Sequence, residues 1–172
     1  LKDLQKLKVF HLKRQRKLVR STSDSHQQEH DHLHAIRYFL RLRWSGRLSA
    51  QKDEGGILCV VSHSGEENIS RDYQVHFGIQ PDAIYGWDLP EEKRKPSTYA
   101  LEDMMEKFHI SKEEILVVDD MKLACKMADP FGIKVCYSGW SGMGIEEVTR
   151  EMESICTYSF NSLEEFGKFL FA

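Results

Sequence analysis

The chain has 172 residues and a formal net charge of -3, with 41% hydrophobic and 30% charged residues. This length favours a single domain with at most a small appendage, and the apolar fraction is sufficient for a hydrophobic core. No apolar run approaches the roughly 18 to 20 residues that a membrane span requires. The basic N-terminus also lacks the apolar segment of a secretory signal. These features exclude a membrane-spanning protein and predict one that does not associate with membranes.

The four cysteines form no CxxC pair, and Cys59 and Cys136 lie within apolar runs. Buried, unpaired thiols are typical of reduced intracellular proteins. We therefore expect a cytoplasmic location.

Charge is distributed unevenly along the chain. Residues 1–55 carry 13 Lys and Arg against 6 Asp and Glu, whereas residues 56–172 carry 11 against 21. A basic leader on an acidic body is one pattern of a nucleic-acid-binding arm. Its basic residues are not interleaved with aromatic side chains that could stack on bases, and the sequence pI is near 6.3. We therefore expect no nucleic-acid partner.

Residues 1–54 form a basic segment that shows little hydrophobic periodicity. Only residues 33–42 have the spacing of an amphipathic helix. Residues 7–10 have weak strand character, but they lead into the polar run His11-Leu-Lys-Arg. The sequence predicts a mostly helical or irregular N-terminal segment over residues 1–54 and a folded core over residues 55–172.

From residue 56 onward, short apolar runs alternate with segments of helical spacing. Continuous apolar runs of this kind are typical of strands buried on both faces, and they predict strands over residues 56–61, 83–85, 115–119, 134–137 and 158–160. Helices are predicted over residues 64–77 (opened by a capping box at Ser64-Gly-Glu-Glu67), 97–108, 121–129, about 144–152, and from Ser162 onward. Alternating strands and helices predict an α/β fold, with a parallel sheet between two helical layers.

Polar residues follow the predicted strands where ligands usually bind in α/β sheets, at the carboxyl ends. Ser62 follows one strand, Lys95 precedes Pro96 in a loop, and Asp119 and Asp120 end another strand. A serine here is commonly a helix cap, and a lysine before proline commonly faces solvent. Two adjacent aspartates, however, repel each other unless a cation or hydrogen-bond donors compensate. A hydroxyl, an ammonium and two carboxylates together suit a phosphate with Mg²⁺.

The order of these signals resembles motifs II, III and IV of the haloacid dehalogenase-like (HAD) hydrolase superfamily. The matching residues are Ser62, Lys95-Pro96 and the run ILVVDD at 115–120, and the flanking sequence is similar to the phosphoglycolate phosphatase-like branch. The resemblance covers about residues 55–172. It implies a three-layer HAD-like Rossmannoid core, Mg²⁺ as cofactor and a small phosphorylated metabolite as substrate.

The resemblance also implies roles for individual residues. Ser62 and the backbone N–H of His63 would bind the transferring phosphoryl group, and Lys95 would neutralise its charge. Asp119 and Asp120 would hold Mg²⁺. The expected catalytic set is therefore Ser62, Lys95 and Asp119, and the expected substrate-binding set is Ser62, His63 and Lys95. Electrostatic stabilisation of this kind is the main catalytic contribution in phosphoryl transfer.

One part of the family's pattern is missing. Its first motif, DxDx[TV] after the first strand, supplies the nucleophile, but the aspartates upstream of Ser62 neither follow an apolar strand nor have the D-x-D spacing. We therefore expect a core that lacks its first strand and motif I. Three explanations are open. The first strand could precede Leu1, with residues 1–54 as a remnant of a helical cap; the reading frame could be wrong across residues 11–54; or the protein could be a degenerate relative without turnover.

The sequence thus predicts a Mg²⁺-dependent phosphatase of small phosphorylated metabolites, incomplete in this chain, or alternatively a catalytically inactive HAD-fold binding module. A phospho-receiver domain contains similar residue types, but its acidic pair comes first in the chain and its lysine last. That order is the reverse of the one found here. The sequence does not predict a CxxC redox enzyme or a GxGxxG dehydrogenase, because it contains neither motif.

Overall fold

The computed structural model describes residues 7–10, 55–141 and 145–170, the first of these ranges by its backbone alone. Apart from residues 7–10, the N-terminal segment predicted over residues 1–54 lies outside the described residues, and its helical character stays a prediction. Across the described ranges, no helix is both long enough and apolar enough to cross a membrane.

The described strands form one parallel sheet in the spatial order β3-β2-β1-β4-β5-β6. In chain order they are β1 (Leu7–Phe10), β2 (Ile57–Val61), β3 (Ala83–Tyr85), β4 (Ile115–Asp119), β5 (Lys134–Ser138) and β6 (Tyr158–Phe160). All residues of β4, and all but the first residue of β2 and β5, are buried. The continuous apolar runs therefore correctly predicted strands covered on both faces.

The sheet contains a strand at residues 7–10, outside the core predicted over residues 55–172. β1 lies at the centre of the sheet, where Leu7 is in register with Ile57 of β2 and with Ile115 of β4. The strand is only four residues long and is interrupted by Lys8, so its local pattern is weak. Its place in the sheet depends on hydrogen bonding to two neighbouring strands, which a local pattern does not reveal.

Helices follow most of the strands, as the alternating pattern predicted. Within the described residues they are α1 (Glu66–Phe77), α2 (Tyr99–Phe108), α3 (Lys122–Ala128), α4 (Glu146–Ile155) and α5 (Leu163–Leu170). Helix α1 ends at Gly78, whose φ of 69° is the left-handed conformation that glycine adopts at little steric cost.

The capping box predicted at the start of α1 is wrong. The N-cap residue is Gly65, and no side chain of the predicted box caps the helix. Instead, the carboxylate of Asp88 accepts a hydrogen bond from the backbone N–H of Glu66 at 2.5 Å. A loop 22 residues further along the chain thus supplies the acceptor that the sequence pattern assigned to a local side chain.

Two hydrophobic clusters, one on each face of the sheet, form the core. On one face, helices α2, α3 and α4 contribute buried side chains that include Leu101, Met104, Met127 and Met152. On the other face, α1 and α5 contribute Tyr73, Phe77 and Phe166. The predicted three-layer arrangement, with a parallel sheet between two helical layers, is therefore confirmed.

The direction of chain progression reverses beside β1. From β1 the chain proceeds to β2 and β3 on one side, and then continues from β4 to β6 on the other. In open α/β sheets, such a reversal leaves a crevice at the carboxyl ends of the strands, and ligands bind there. The carboxyl ends of β2, β1 and β4 are therefore the place where topology alone predicts a site.

Candidate functional site

Polar residues are buried at the carboxyl edge of the sheet. Ser62 directly follows β2, Asp119 is the last residue of β4, and Ser138 is the last residue of β5. Lys95 comes from the loop between β3 and α2. These four are the buried polar residues among those described, and each has a relative exposure of 6% or less. Buried polar groups of this kind need partners, because desolvation without compensation is unfavourable.

The ammonium group of Lys95 forms an ion pair with the Oδ2 atom of Asp119. The two side chains are 1% and 3% exposed, so this is a buried contact between residues 24 positions apart in the chain. The other carboxylate oxygen of Asp119 accepts a hydrogen bond of 2.8 Å from the backbone N–H of Met121. The charge of Asp119 is therefore compensated by an ammonium and a backbone donor.

Ser62 is held in place by backbone and side-chain contacts. Its backbone N–H donates to the carbonyl of Tyr85 at 2.9 Å, which continues the pairing of β2 with β3. Its hydroxyl oxygen accepts a hydrogen bond of 3.2 Å from the backbone N–H of Ser64. The hydroxyl hydrogen of Ser62 can still be donated to a ligand, because an acceptor role uses only an oxygen lone pair.

His63 joins the serine region to the lysine loop. Its Nε2 atom is 3.2 Å from the carbonyl oxygen of Lys95, and its ring packs edge-on against Trp87 at a centroid distance of 6.0 Å. With this contact, the structure brings His63, Lys95 and Asp119 into one connected set.

Arg94 is a residue of this region that the sequence patterns did not identify. Its guanidinium lies 4.2 Å from the centroid of the Trp87 ring, and its Nε atom donates to the carbonyl of Leu89 at 2.6 Å. Trp87 is 54% exposed, so a cationic group is fixed over an exposed aromatic ring beside Lys95. The only available signal was the dipeptide Arg94-Lys95, which is indistinguishable from an ordinary surface pair.

Asp120 directly follows Asp119 in the chain but has different neighbours. It lines a cleft of about 270 Å³ between the start of α3 and helix α4. The walls of the cleft are largely apolar and include Met121, Leu123, Tyr137, Val148, Thr149 and Met152. The adjacent carboxylates thus face different surroundings, since Asp119 contacts Lys95 and Asp120 borders this cleft.

The predicted magnesium ligands are Asp119 and Asp120. Within the described ranges, no group of three or more His, Cys, Asp or Glu residues could hold a metal ion. Mg²⁺ does not need such a group, because it commonly binds through one or two carboxylates together with water and phosphate oxygens. Asp119 and Asp120 supply two adjacent carboxylates at the end of β4, and a magnesium site there stays a prediction.

Motif I would follow the first strand, and the sequence after β1 has no aspartate there. Phe10 is followed by His11-Leu-Lys-Arg, and these residues lie outside the described ranges. Because β1 is part of the sheet, the absence of motif I does not come from a missing strand.

No protein-family model matches the chain, and no curated protein matches it in sequence. Solved structures with a similar fold are HAD-superfamily phosphoglycolate phosphatase-like hydrolases. One is a predicted phosphoglycolate phosphatase from Haemophilus somnus, with a TM-score of 0.55 and 23% identity over 71% of this chain and 53% of that one. Another is a HAD-superfamily hydrolase of subfamily IA from Geobacter sulfurreducens, with a TM-score of 0.50 and 15% identity over 67% of this chain and 49% of that one.

A third similar structure is CbbY from Rhodobacter sphaeroides in complex with phosphate. It has a TM-score of 0.58 and 19% identity over 91% of this chain and 70% of CbbY. The chain thus spans about half the length of the first two proteins and 70% of CbbY. At these identities the similarity establishes a HAD-like fold.

Proposed function

We propose that the carboxyl edge of the sheet is the active site of a Mg²⁺-dependent phosphatase of small phosphorylated metabolites, and that this chain contains its phosphate- and metal-binding half. The observation that carries the proposal is the buried ion pair between Lys95 and Asp119 at the point where the strand order reverses. A fold retains such a pair at a desolvation cost, and buried, compensated charges in a crevice often mark a functional site.

The strand order sets the separation of the proposed phosphate contacts. Ser62 and Asp119 lie at the ends of β2 and β4, which flank β1. Because neighbouring strands are about 4.8 Å apart, these two backbone positions are separated by about 10 Å across the sheet. A phosphate bound above the carboxyl end of β1 would lie between the serine hydroxyl and the lysine-carboxylate pair.

Each proposed contact follows from ordinary chemistry. The hydroxyl of Ser62 and the backbone N–H of His63 would donate to phosphate oxygens. The ammonium group of Lys95 would donate hydrogen bonds to the phosphate and to Asp119 at the same time, because it has three N–H donors that point in different directions. Mg²⁺, held by Asp119 and Asp120, would neutralise charge on the phosphate oxygens. CbbY, which shares this fold, was crystallised with phosphate, which supports the choice of ligand.

The alternative function is a catalytically inactive binding module. The sequence after β1 favours this alternative for this chain. A two-step transfer requires a nucleophilic carboxylate next to the bound phosphate. The residues after Phe10 are His11-Leu-Lys-Arg, without the D-x-D pattern. We therefore expect binding of phosphate and Mg²⁺ with no more than trace turnover.

Binding can be measured by calorimetry with inorganic phosphate and by the shift in melting temperature with millimolar Mg²⁺. We expect Ser62→Ala to weaken phosphate binding about tenfold to a hundredfold, because a hydrogen bond to a charged group contributes about 1.5 to 3 kcal/mol. Asp119→Asn should remove the stabilisation by Mg²⁺. Ser154→Ala changes an exposed serine on α4 and should leave both measurements unchanged.

Turnover of p-nitrophenyl phosphate with Mg²⁺ separates the two candidate functions. Trace activity together with phosphate binding supports the inactive module. Robust activity that is lost in Asp119→Asn would establish a phosphatase and refute the inactive alternative. Robust activity that survives Asp119→Asn would contradict both the site and its chemistry.

A further inference from the structure

Two cysteines far apart in the sequence lie in contact on the face of the sheet that α3 and α4 cover. Cys125 is on α3, the helix that begins two residues after Asp120, and Cys156 follows the last residue of α4. They are separated by 31 positions in the chain, yet their Sγ atoms are 3.5 Å apart. No local pattern predicts this contact, and neither thiol has a role in the proposed phosphate chemistry.

We propose that Cys125 and Cys156 are a redox-active pair that a peroxide converts into a reversible disulfide. A disulfide bond is about 2.05 Å long, so the two sulfurs need to approach by about 1.5 Å. Both residues are free thiols. Cys125 is buried, whereas Cys156 is only partly buried, so the pair borders solvent on the Cys156 side.

The other two thiols provide an internal comparison. Cys59 and Cys136 are both 0% exposed, and they lie inside strands β2 and β5. Burial raises the pKa of Cys136 to about 12, which keeps its thiol protonated and unreactive. Reactivity should therefore be confined to the pair that contacts solvent.

The hydrogen bond between the paired thiols favours a thiolate on one of them. A hydrogen bond from the Cys156 thiol lowers the pKa of Cys125 below its ordinary value. The same hydrogen bond, together with burial, raises the pKa of Cys156. The first proton is therefore lost from Cys125, and the thiolate is the nucleophilic form.

One molecule of hydrogen peroxide oxidises the two thiols to one disulfide and is itself reduced to two molecules of water. The Cys125 thiolate attacks one peroxide oxygen, the O–O bond breaks, and the hydroxide that leaves takes a proton from solvent to form water. The sulfur of Cys156 then attacks the sulfenic acid on Cys125. The S–O bond breaks, and hydroxide leaves with the Cys156 proton as a second water. Two electrons pass from the two sulfurs to the peroxide.

The cross-link would tie the middle of α3 to the residue that follows α4. Closing a loop of this length restricts the unfolded chain and stabilises the folded state. We expect the oxidised protein to melt on the order of 5 to 10 °C higher than the reduced protein. The reduced and oxidised forms should have the same fold, because the sulfurs are already in contact.

The test is mild hydrogen peroxide treatment of the whole chain, followed by non-reducing peptide mapping and intact mass measurement. The expected product is a monomer that has lost two hydrogens, contains a Cys125–Cys156 linkage, and returns to its original mass with dithiothreitol. Cys125→Ser and Cys156→Ser should each abolish the linkage and the rise in melting temperature. Cys136→Ala, which leaves the pair intact, should still form it.

Peptide mapping of the unaltered chain identifies the linked cysteines even if a variant fails to fold. A disulfide that involves Cys59 or Cys136 would overturn the proposal. So would an intermolecular disulfide, irreversible oxidation of a single thiol, or no reaction. None of these readouts depends on phosphate binding, so the dithiol proposal can fail independently of the proposed phosphatase site.

Discussion

Two lysine-carboxylate pairs lie in contrasting regions of the molecule. At the carboxyl edge of the sheet, Lys95 pairs with Asp119, with side chains that are 1% and 3% exposed. On the outer surface of helices α3 and α4, Lys122 pairs with Glu151, with side chains that are 52% and 49% exposed. The chemical groups are closely similar, and the surroundings differ.

The two pairs differ in what they contribute to folding. An exposed ion pair typically contributes about 0 to 1 kcal/mol to folding, because water and salt screen it. A buried pair loses the hydration of both ions, and its attraction offsets that loss only with good geometry. The buried pair is therefore poorly explained by stability, whereas the proposed ligand would use both charges.

The largest expected effect comes from breaking the buried pair. Lys95→Met removes the ammonium and leaves the Asp119 carboxylate buried, so the free energy of unfolding should fall by about 3 to 5 kcal/mol. Urea denaturation measures this change. Adding Asp119→Leu should restore part of the loss, because no buried charge then remains. A fall below 1 kcal/mol for Lys95→Met would mean that the pair behaves like a surface pair.

The second prediction concerns the close packing of the loops at the same edge. A Cβ atom on Gly86 would lie 2.7 Å from the carbonyl oxygen of Ser64 and 3.1 Å from the backbone nitrogen of Glu66. We expect Gly86→Ala to destabilise the protein by about 2 kcal/mol and to weaken phosphate binding, because backbone atoms must shift.

The matched control for that change is Gly78→Ala at the end of α1. A Cβ atom there would meet nothing within 4 Å, but the φ of 69° is unfavourable for alanine. We expect a loss of about 1 kcal/mol, with phosphate binding unchanged. Equal effects of the two substitutions on phosphate binding would argue against a special role for the loop around Gly86.

The third prediction tests a buried hydroxyl that, unlike the Lys95–Asp119 pair, has no partner among the described residues. The hydroxyl of Tyr73 on α1 is buried and has no hydrogen-bond partner among the described residues. Tyr73→Phe removes an unsatisfied polar group and should stabilise the protein by about 1 kcal/mol in thermal or urea denaturation. Destabilisation would show that a residue outside the described ranges satisfies this hydroxyl.

The smallest effect is expected at the exposed pair. Lys122→Ala and Glu151→Ala should each change the free energy of unfolding by less than about 1 kcal/mol, and a double-mutant cycle should give a coupling of the same size or smaller. This coupling should also fall as salt is added, because the pair is in contact with solvent. A coupling above 2 kcal/mol would remove the contrast between the two regions.

Much of the architecture was predictable because buried parallel strands have a strong local signature. The runs at β2, β4 and β5 are continuous and apolar, and the helical spacings between them are regular. β1 was not recognised, because four residues interrupted by Lys8 become a strand only through pairing on both sides. The start of α1 was also mispredicted, since Asp88 contacts it from another loop.

For the candidate site, the amino-acid order was sufficient to propose Ser62, Lys95 and the two aspartates, because residue types at strand ends are a local property. It could not determine that Lys95 contacts Asp119 or that Cys125 contacts Cys156, since those pairs are 24 and 31 positions apart. Such contacts depend on the strand order and on the packing of helices against the sheet. The chemistry was therefore encoded locally, and the pairing of charges and thiols was decided by the tertiary fold.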